Sequence, residues 1–281
     1  MKKIGLCLMV LTLSVAVQAN LRAYWTFDEG SGSIAYDASG NGNHGLLKAD
    51  TEYGDPAQPL TGTTKPNWIA GVRGAGALQF CAGSNNYNSV WVAKSDSLKD
   101  LMSSWSFSMW LREDSKAVTP GGGGYARVIS CPNYEIELGA ANWNYDYFWP
   151  YENGPFQKEI GANFETLGEW YHMALTYDGQ YLRKYLNGNV VSSTQIVGQG
   201  LLNLWDNENW SQAVLKLGCQ VWPCKDWFQG AMDDVAIWGD QCLTAAEVMG
   251  LYSGALTPLD IPEPASLALL AMGGLLLRKK K

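Results

Sequence analysis

Histidine is nearly missing from this chain: 281 residues include only His44 and His172. Lysine and arginine are also in deficit, 20 against 27 aspartates and glutamates, which gives a formal net charge of −7. No two cysteines are spaced Cys-x-x-Cys and none clusters with a histidine, so the common zinc ligand sets and the dithiol redox motif are lacking. Two histidines also leave little for base or triad chemistry, and both sit in stretches that read as structural, "NGNHG" and "WYHMALTYDG". An acidic surface repels polyanions, which argues against nucleic acid and acidic polymers as partners. No apolar run comfortably reaches the ~20 residues that span a bilayer.

The apolar runs that do occur lie at the two ends. "MKKIGLCLMVLTLSVAVQAN" has two lysines, an apolar stretch from Ile4 to Val17 and small residues before Asn20. This is the three-part build of a secretory signal, cut by signal peptidase after Ala19 because Val17 and Ala19 are small. At the other end, Pro262-Glu263-Pro264 precedes an apolar run, Ala265 to Leu277, and then Arg278, Lys279, Lys280 and Lys281. The basic cluster would stay on the cytoplasmic side. Together the three parts resemble the PEP-CTERM sorting signal of bacterial exported proteins. That resemblance implies transient membrane association, removal by an exosortase-type enzyme and release toward the cell surface or extracellular matrix. A plain C-terminal anchor is the alternative, and either way the body lies outside the cytoplasm. The expected organisation is a signal at 1–19, one domain at 20–256 and a tail at 257–281. Without Lys2, Lys3, Glu263 and the four C-terminal basic residues, 14 basic and 26 acidic residues remain, a net charge near −12.

Once Cys7 leaves with the signal, Cys81, Cys131, Cys219, Cys224 and Cys242 are left. An odd number means that at least one is free or pairs with another molecule. Cys219 and Cys224, in "CQVWPC", are near enough in sequence to close a small loop or to stay reduced.

The body reads as β-structure. "SWSFSMWLRE", "EWYHMALTYDG" and "YLRKYLNGNVVSST" alternate, carry aromatic and β-branched residues, and are bounded by Gly, Asn and Asp. Asn187-Gly188 marks a two-residue hairpin turn, which needs positive φ at both positions. One helix is expected, capped by Thr244 with Glu247 three residues on and ended by Gly254. Lys48 to Ala70, with Pro56, Pro59 and Pro66, reads as a surface excursion. Taken in order, "AYWTFDEGSGSIAYDASGNGNHGLL", "GVRGAGALQF", "WSFSMWL", "EWYHMALTYDGQYLRKYLNG" and "FQGAMDDVAIWGDQCLTAAEVMGLYSG" resemble the LamG-like, concanavalin A-like domains over most of Ala23 to Gly254. The resemblance implies an all-β fold, a two-sheet antiparallel jelly-roll sandwich with its first and last long strands adjacent. It also implies binding of carbohydrate, an extracellular matrix polymer or another surface component.

Glycoside hydrolases of similar fold carry Glu-x-Asp-x-x-Glu on a strand. "EIELGA" supplies Glu135 and Glu137 on one face but has Ala140 where the proton donor should be, so no catalytic residues are assigned. A better lead lies in "ANWNYDYFWPYENGPF". Trp143, Tyr145 and Tyr147 alternate there with Asn142, Asn144 and Asp146, with Trp149 and Tyr151 following. As a strand this puts rings on one face and polar groups on the other, a pattern suited to sugar rings and hydroxyls, or the rings fill the core. Trp149, Tyr151, Trp205, Trp210, Trp222 and Trp227 fall in loop-like stretches where exposure is expected. Three functions stand open: a glycan- or matrix-binding module, a structural surface protein, and a glycan-active hydrolase or lyase.

A structural calcium site is the remaining expectation. Asp37-Ala38-Ser39-Gly40-Asn41-Gly42 sets oxygen donors at alternate positions of a glycine-rich turn, as an EF-hand loop begins, although position twelve is Lys48. The family resemblance would complete the shell with Asp28, Asp234 and backbone near Gly30. Alternatively, Asp37 and Asn41 only bond their own turn.

Overall fold

Strands that alternate apolar with polar side chains must bury one face, and here two sheets do so against each other. A computed structural model describes residues 20–49, 64–81, 87–102, 104–116, 125–132, 134–139, 145–150, 158–162, 166–196, 202–203, 214–221 and 226–262. Asn20–Ile261 forms one compact unit; of the residues outside it only Pro262 is described.

In chain order the strands are β1 (Leu21–Trp25), β2 (Ile34–Ala35), β3 (Gly45–Ala49), β4 (Asn67–Ile69), β5 (Ala77–Phe80) and β6 (Asn88–Ala93). Next come β7 (Asp100–Met102), β8 (Trp105–Glu113), β9 (Ala126–Cys131), β10 (Tyr134–Leu138), β11 (Tyr145–Pro150) and β12 (Lys158–Ala162). The last are β13 (Trp170–Tyr177), β14 (Tyr181–Leu186), β15 (Asn189–Gln195), β16 (Leu202–Asn203), β17 (Val214–Leu217) and β18 (Gly230–Gly239). Sheet A runs β15-β14-β13-β8-β18-β5-β4, with β1 also on β18; sheet B runs β12-β11-β10-β9-β17-β6-β3-β2. A two-stranded ribbon joins β7 and β16. The first and last long strands are neighbours, Trp25 lying opposite Val235. Part of the expected surface excursion is ordered sheet, since β4 pairs with β5 at the edge of sheet A.

The inner faces meet in one apolar core. Trp105 of sheet A packs against Phe148 of sheet B, with ring centroids 5.1 Å apart, and against Tyr177 at 5.6 Å. Each such ring contributes roughly 1.5–3 kcal/mol by leaving water. Within this core region lies one charged pair, Lys184 with Asp146, both fully buried; their opposite charges offset the cost of burial.

The turn at Asn187-Gly188 has φ of 48° and 79°, the positive pair a tight hairpin demands. A second helix, α2 (Ala245–Ser253), follows a four-residue α1 (Asp96–Lys99) that the sequence reading did not anticipate. Thr244 and Glu247 close the capping box of α2, and Gly254 ends it in the left-handed region at φ 75°. This helix covers the outer face of sheet A, where Val248 and Leu251 pack on Tyr24, Tyr185 and Trp238. Ile261, which the sequence reading assigned to the tail, is buried in the same cluster.

Candidate functional site

Sheet B has no helix over its outer face among the described residues, and its register builds a row there across seven strands. Ile34 pairs with Leu46, Leu46 with Trp91, Trp91 with Lys216, Lys216 with Ser130, Ser130 with Glu135, and Glu135 with Trp149. One step along, Arg127 lies opposite Glu137, which lies opposite Tyr147. The bulge in β9 beside Arg127 brings these two levels together.

Arg127 is the hub. Its Nε donates to Glu135 at 2.9 Å, one Nη meets Glu137 at 2.5 Å, and the other donates to Asp226 at 2.7 Å. All four groups are buried. The three carboxylates overcome the desolvation of the guanidinium and push its pKa above the usual arginine range. Ser130 Oγ donates to the second oxygen of Glu135. Both oxygens of Glu135 therefore accept from donors, and Glu137 shares the same cation. A retaining hydrolysis pair instead needs one carboxyl to deliver a proton to the leaving group, and this geometry does not present one.

In β11 the described side chains of Asp146 and Tyr147 fall on opposite faces of sheet B. Tyr147 lies on the outer face and is nearly buried, edge-on to Tyr125 at 6.1 Å. Asp146 faces inward, accepts from Gly139 N–H and pairs with Lys184. It is a core ion rather than a sugar ligand. Tyr145 and Trp149 hold strand positions opposite Ala162 and Glu135, whereas Trp143, Asn144 and Tyr151 lie outside the described residues. Trp227, expected to be exposed, is buried against Tyr87 with centroids 4.4 Å apart. Trp205, Trp210, Trp222 and Cys224 are outside the described residues, so of the expected disulfide only Cys219 is described, and it is buried.

The five expected calcium residues divide into two places. Asp37 accepts four hydrogen bonds: from the N–H groups of Tyr24, Ser39 and Asn43 at 2.9 Å each, and from Ser39 Oγ at 2.8 Å. Asn41 donates its amide to the carbonyls of Leu21 and Arg22. These two residues tie their own loop to β1, and the donors around Asp37 use the oxygens that a cation would need. The expectation for Asp37 and Asn41 is corrected accordingly. Gly30 supplies a positive φ of 66° in the turn after β1.

Asp28 and Asp234 meet elsewhere, around the loop Gly71–Gly76. Asp28 Oδ1 accepts from Ala75 N–H at 2.5 Å and Gly76 N–H at 2.8 Å. Asp233 Oδ2 accepts from Val72 N–H and Arg73 N–H, both at 2.8 Å. Asp234, in a β18 bulge with φ 48°, accepts from Tyr24 Oη at 2.6 Å. Arg73 then reaches over to bond the Tyr252 carbonyl at the end of α2 and lies 4.8 Å from the Trp110 ring centre. Burial pushes the Asp233 carboxyl up to about 7. Asp234 is raised too, first by burial, and the Asp28 charge adds to it. Asp233 Oδ1 is buried without a hydrogen-bond partner. Among the described residues, no three His, Cys, Asp or Glu side chains converge closely enough to hold a metal ion.

The sequence reading missed Trp91, Arg127, Lys216 and Asp226. A usable signal was there: "ARVIS" and "VLKLG" each set one cation into an apolar strand, which pattern alone leaves unexplained.

Residues 82–249 match the family model Laminin_G_3, described as the concanavalin A-like lectin/glucanases superfamily. The chain belongs to this superfamily. No curated protein matches it. Among solved structures this superfamily member is similar to domain 4 of AbnA, a GH43 extracellular arabinanase from Geobacillus stearothermophilus, in complex with arabinotriose. That likeness has 19% identity and a TM-score of 0.55 over 84% of this chain and 99% of that one. It is also similar to the binding domain of Paraclostridial Mosquitocidal Protein 1, with 15% identity, TM-score 0.58, and 84% and 52% coverage. The binding domain of Botulinum neurotoxin DC in complex with rat synaptotagmin II gives 11%, 0.57, and 84% and 52%. The chain thus spans about half of the toxin binding domains, and at these identities the likeness is one of fold.

Proposed function

We propose that this superfamily member is a non-catalytic carbohydrate-binding module exported to the cell surface or extracellular matrix. The observation that carries the reading is the accessible end of the cross-strand row on the outer face of sheet B, where the half-buried Trp91 stands beside Lys48 and the exposed Leu46 and Ile34. The Trp91 ring offers flat apolar surface to sugar C–H groups, and the buried Arg127 cluster farther along holds together the strands that carry it. Glu135 and Glu137 orient Arg127 in this reading and transfer no proton. His172 is far from the role of a base, being buried on sheet A beneath α2. The arabinotriose complex of a similar fold supports carbohydrate binding, and the synaptotagmin II complex of another supports a binding role.

Export rests on the N-terminal signal composition, and release on processing of the Pro262-Glu263-Pro264 tail by an exosortase-type enzyme. Calcium is left out of this reading: Asp37 and Asn41 are taken up by their own loop, and Asp28, Asp233 and Asp234 do not converge closely enough to hold a cation.

A glycan array with the protein tests the main reading, run beside an assay for reducing-end release from the ligands it retains. Retention of discrete oligosaccharides without release is the expected result. Release that disappears in Glu135→Gln or Glu137→Gln would make it an enzyme, and a blank array would leave the sandwich a scaffold.

A further inference from the structure

Trp91 has two ammonium groups over its ring, Lys216 Nζ at 4.1 Å and Lys48 Nζ at 5.6 Å from the centroid. Its indole N–H donates to Ser89 Oγ at 2.8 Å, so the ring is held in place by its own strand. Lys216 is buried and Lys48 is half-buried. Among the described residues Lys48 forms no ion pair. Toward the sheet edge the row continues into Leu46 and Ile34, 42% and 38% exposed, with Tyr36 beside them at 55%. His44 lies edge-on to Tyr36 at 5.3 Å. One oxygen of the Glu29 carboxylate accepts from Tyr36 N–H at 2.6 Å, and the other is buried without a hydrogen-bond partner.

From this geometry we infer that the β2–β3–β6 corner recognises a saccharide bearing an anionic group, a carboxylate or a sulfate ester. The inference rests on the carbohydrate reading and narrows it. A sugar ring laid over Trp91 and Leu46 would displace water from around Lys48. A neutral ligand would then leave that ammonium poorly solvated, whereas an anion restores its partner. At the other end of the row, three carboxylates surround the single Arg127, so a charged ligand is oriented with its anion toward Trp91. The protein as a whole is acidic, at −7. It does not steer polyanions from a distance, and selection depends on this local contact.

Calorimetric titration separates the possibilities, using wild type, Lys48→Gln, Lys48→Arg and Trp91→Phe, each first checked for an unchanged melting temperature. The probes are oligogalacturonates, sulfated oligosaccharides and neutral arabino-oligosaccharides. We expect binding to one anionic class, weakened about threefold to tenfold in Lys48→Gln and retained in Lys48→Arg, as suits one partly buried ion pair. Trp91→Phe keeps part of the binding by keeping a ring. Which anionic class binds identifies the group. Equal binding of neutral sugars with no effect of Lys48→Gln overturns this inference and leaves the carbohydrate reading standing. No binding of any saccharide overturns both.

Discussion

Asp37 shows how much one carboxylate can organise. Its four accepted bonds fasten the loop after β2 to the edge of β1, so Asp37→Ala strands three backbone N–H groups together with Ser39 Oγ. We expect a loss of about 2–4 kcal/mol in denaturant melts, the same with and without calcium. His172 sets the acid limit. It is buried against Trp110 and Tyr252, accepts or donates one bond with Ser108 at 2.9 Å, and is held down to about 3, first by burial and then by the Arg73 charge. The unfolded imidazole titrates near 6.5. Below that pH the unfolded chain binds a proton the folded one refuses. The contribution is therefore complete above about pH 6.5 and is lost on acidification toward pH 3, at up to roughly 1.4 kcal/mol per pH unit. Melting temperatures from pH 7 to 4.5 should fall more steeply for wild type than for His172→Gln.

At the scale of elements, α2 is the local structure most fully written in the chain. Thr244→Ala removes the side-chain half of its capping box, leaving the backbone N–H of residue 244 on Glu247, and should cost about 1 kcal/mol, read as a lower melting temperature with unchanged ligand binding. The hairpin at Asn187-Gly188 and the strands β8, β13 and β14 were equally legible, because period-two patterns and turn residues act over a few neighbours. What stayed hidden is assembled from distance. The bulge at Asp234 breaks the alternation of β18 without a sequence mark, and the outer row of sheet B draws one residue from each of seven strands. Asp146 was misplaced because alternation fixes which residues share a face but not which face is the interior. The loop Gly71–Gly76 was seen as a motif, while its physical role, hydrogen-bonded by Asp28 on one side and Asp233 on the other, needs three segments at once. Gly74 has φ 56°, and an added Cβ would run into the Asp28 carboxylate, so the glycine there answers to both backbone and contact.

Taken as a whole, the molecule joins these devices into a single sandwich whose two outer faces differ: α2 closes one, and the other carries the proposed binding row. Since no three carboxylates converge among the described residues, we expect a chelator to leave the melting temperature unchanged. A fall of a few degrees, the effect of about 1.4 kcal/mol of linkage from a site with Kd near 10⁻⁴ M at millimolar calcium, would show that a cation is held.

The position of β18 has a consequence for the order in which the chain can be completed. This strand lies between β8 and β5 and is also the partner of β1, yet it is the last of the described strands to be synthesised. Until residue 239 is available, sheet A consists of two separate pieces, β15-β14-β13-β8 and β5-β4, and the first strand has no neighbour in the sheet. Sheet B needs nothing beyond β17, so the two layers are completed in order, and a product truncated before Gly230 keeps sheet A in two parts that nothing joins.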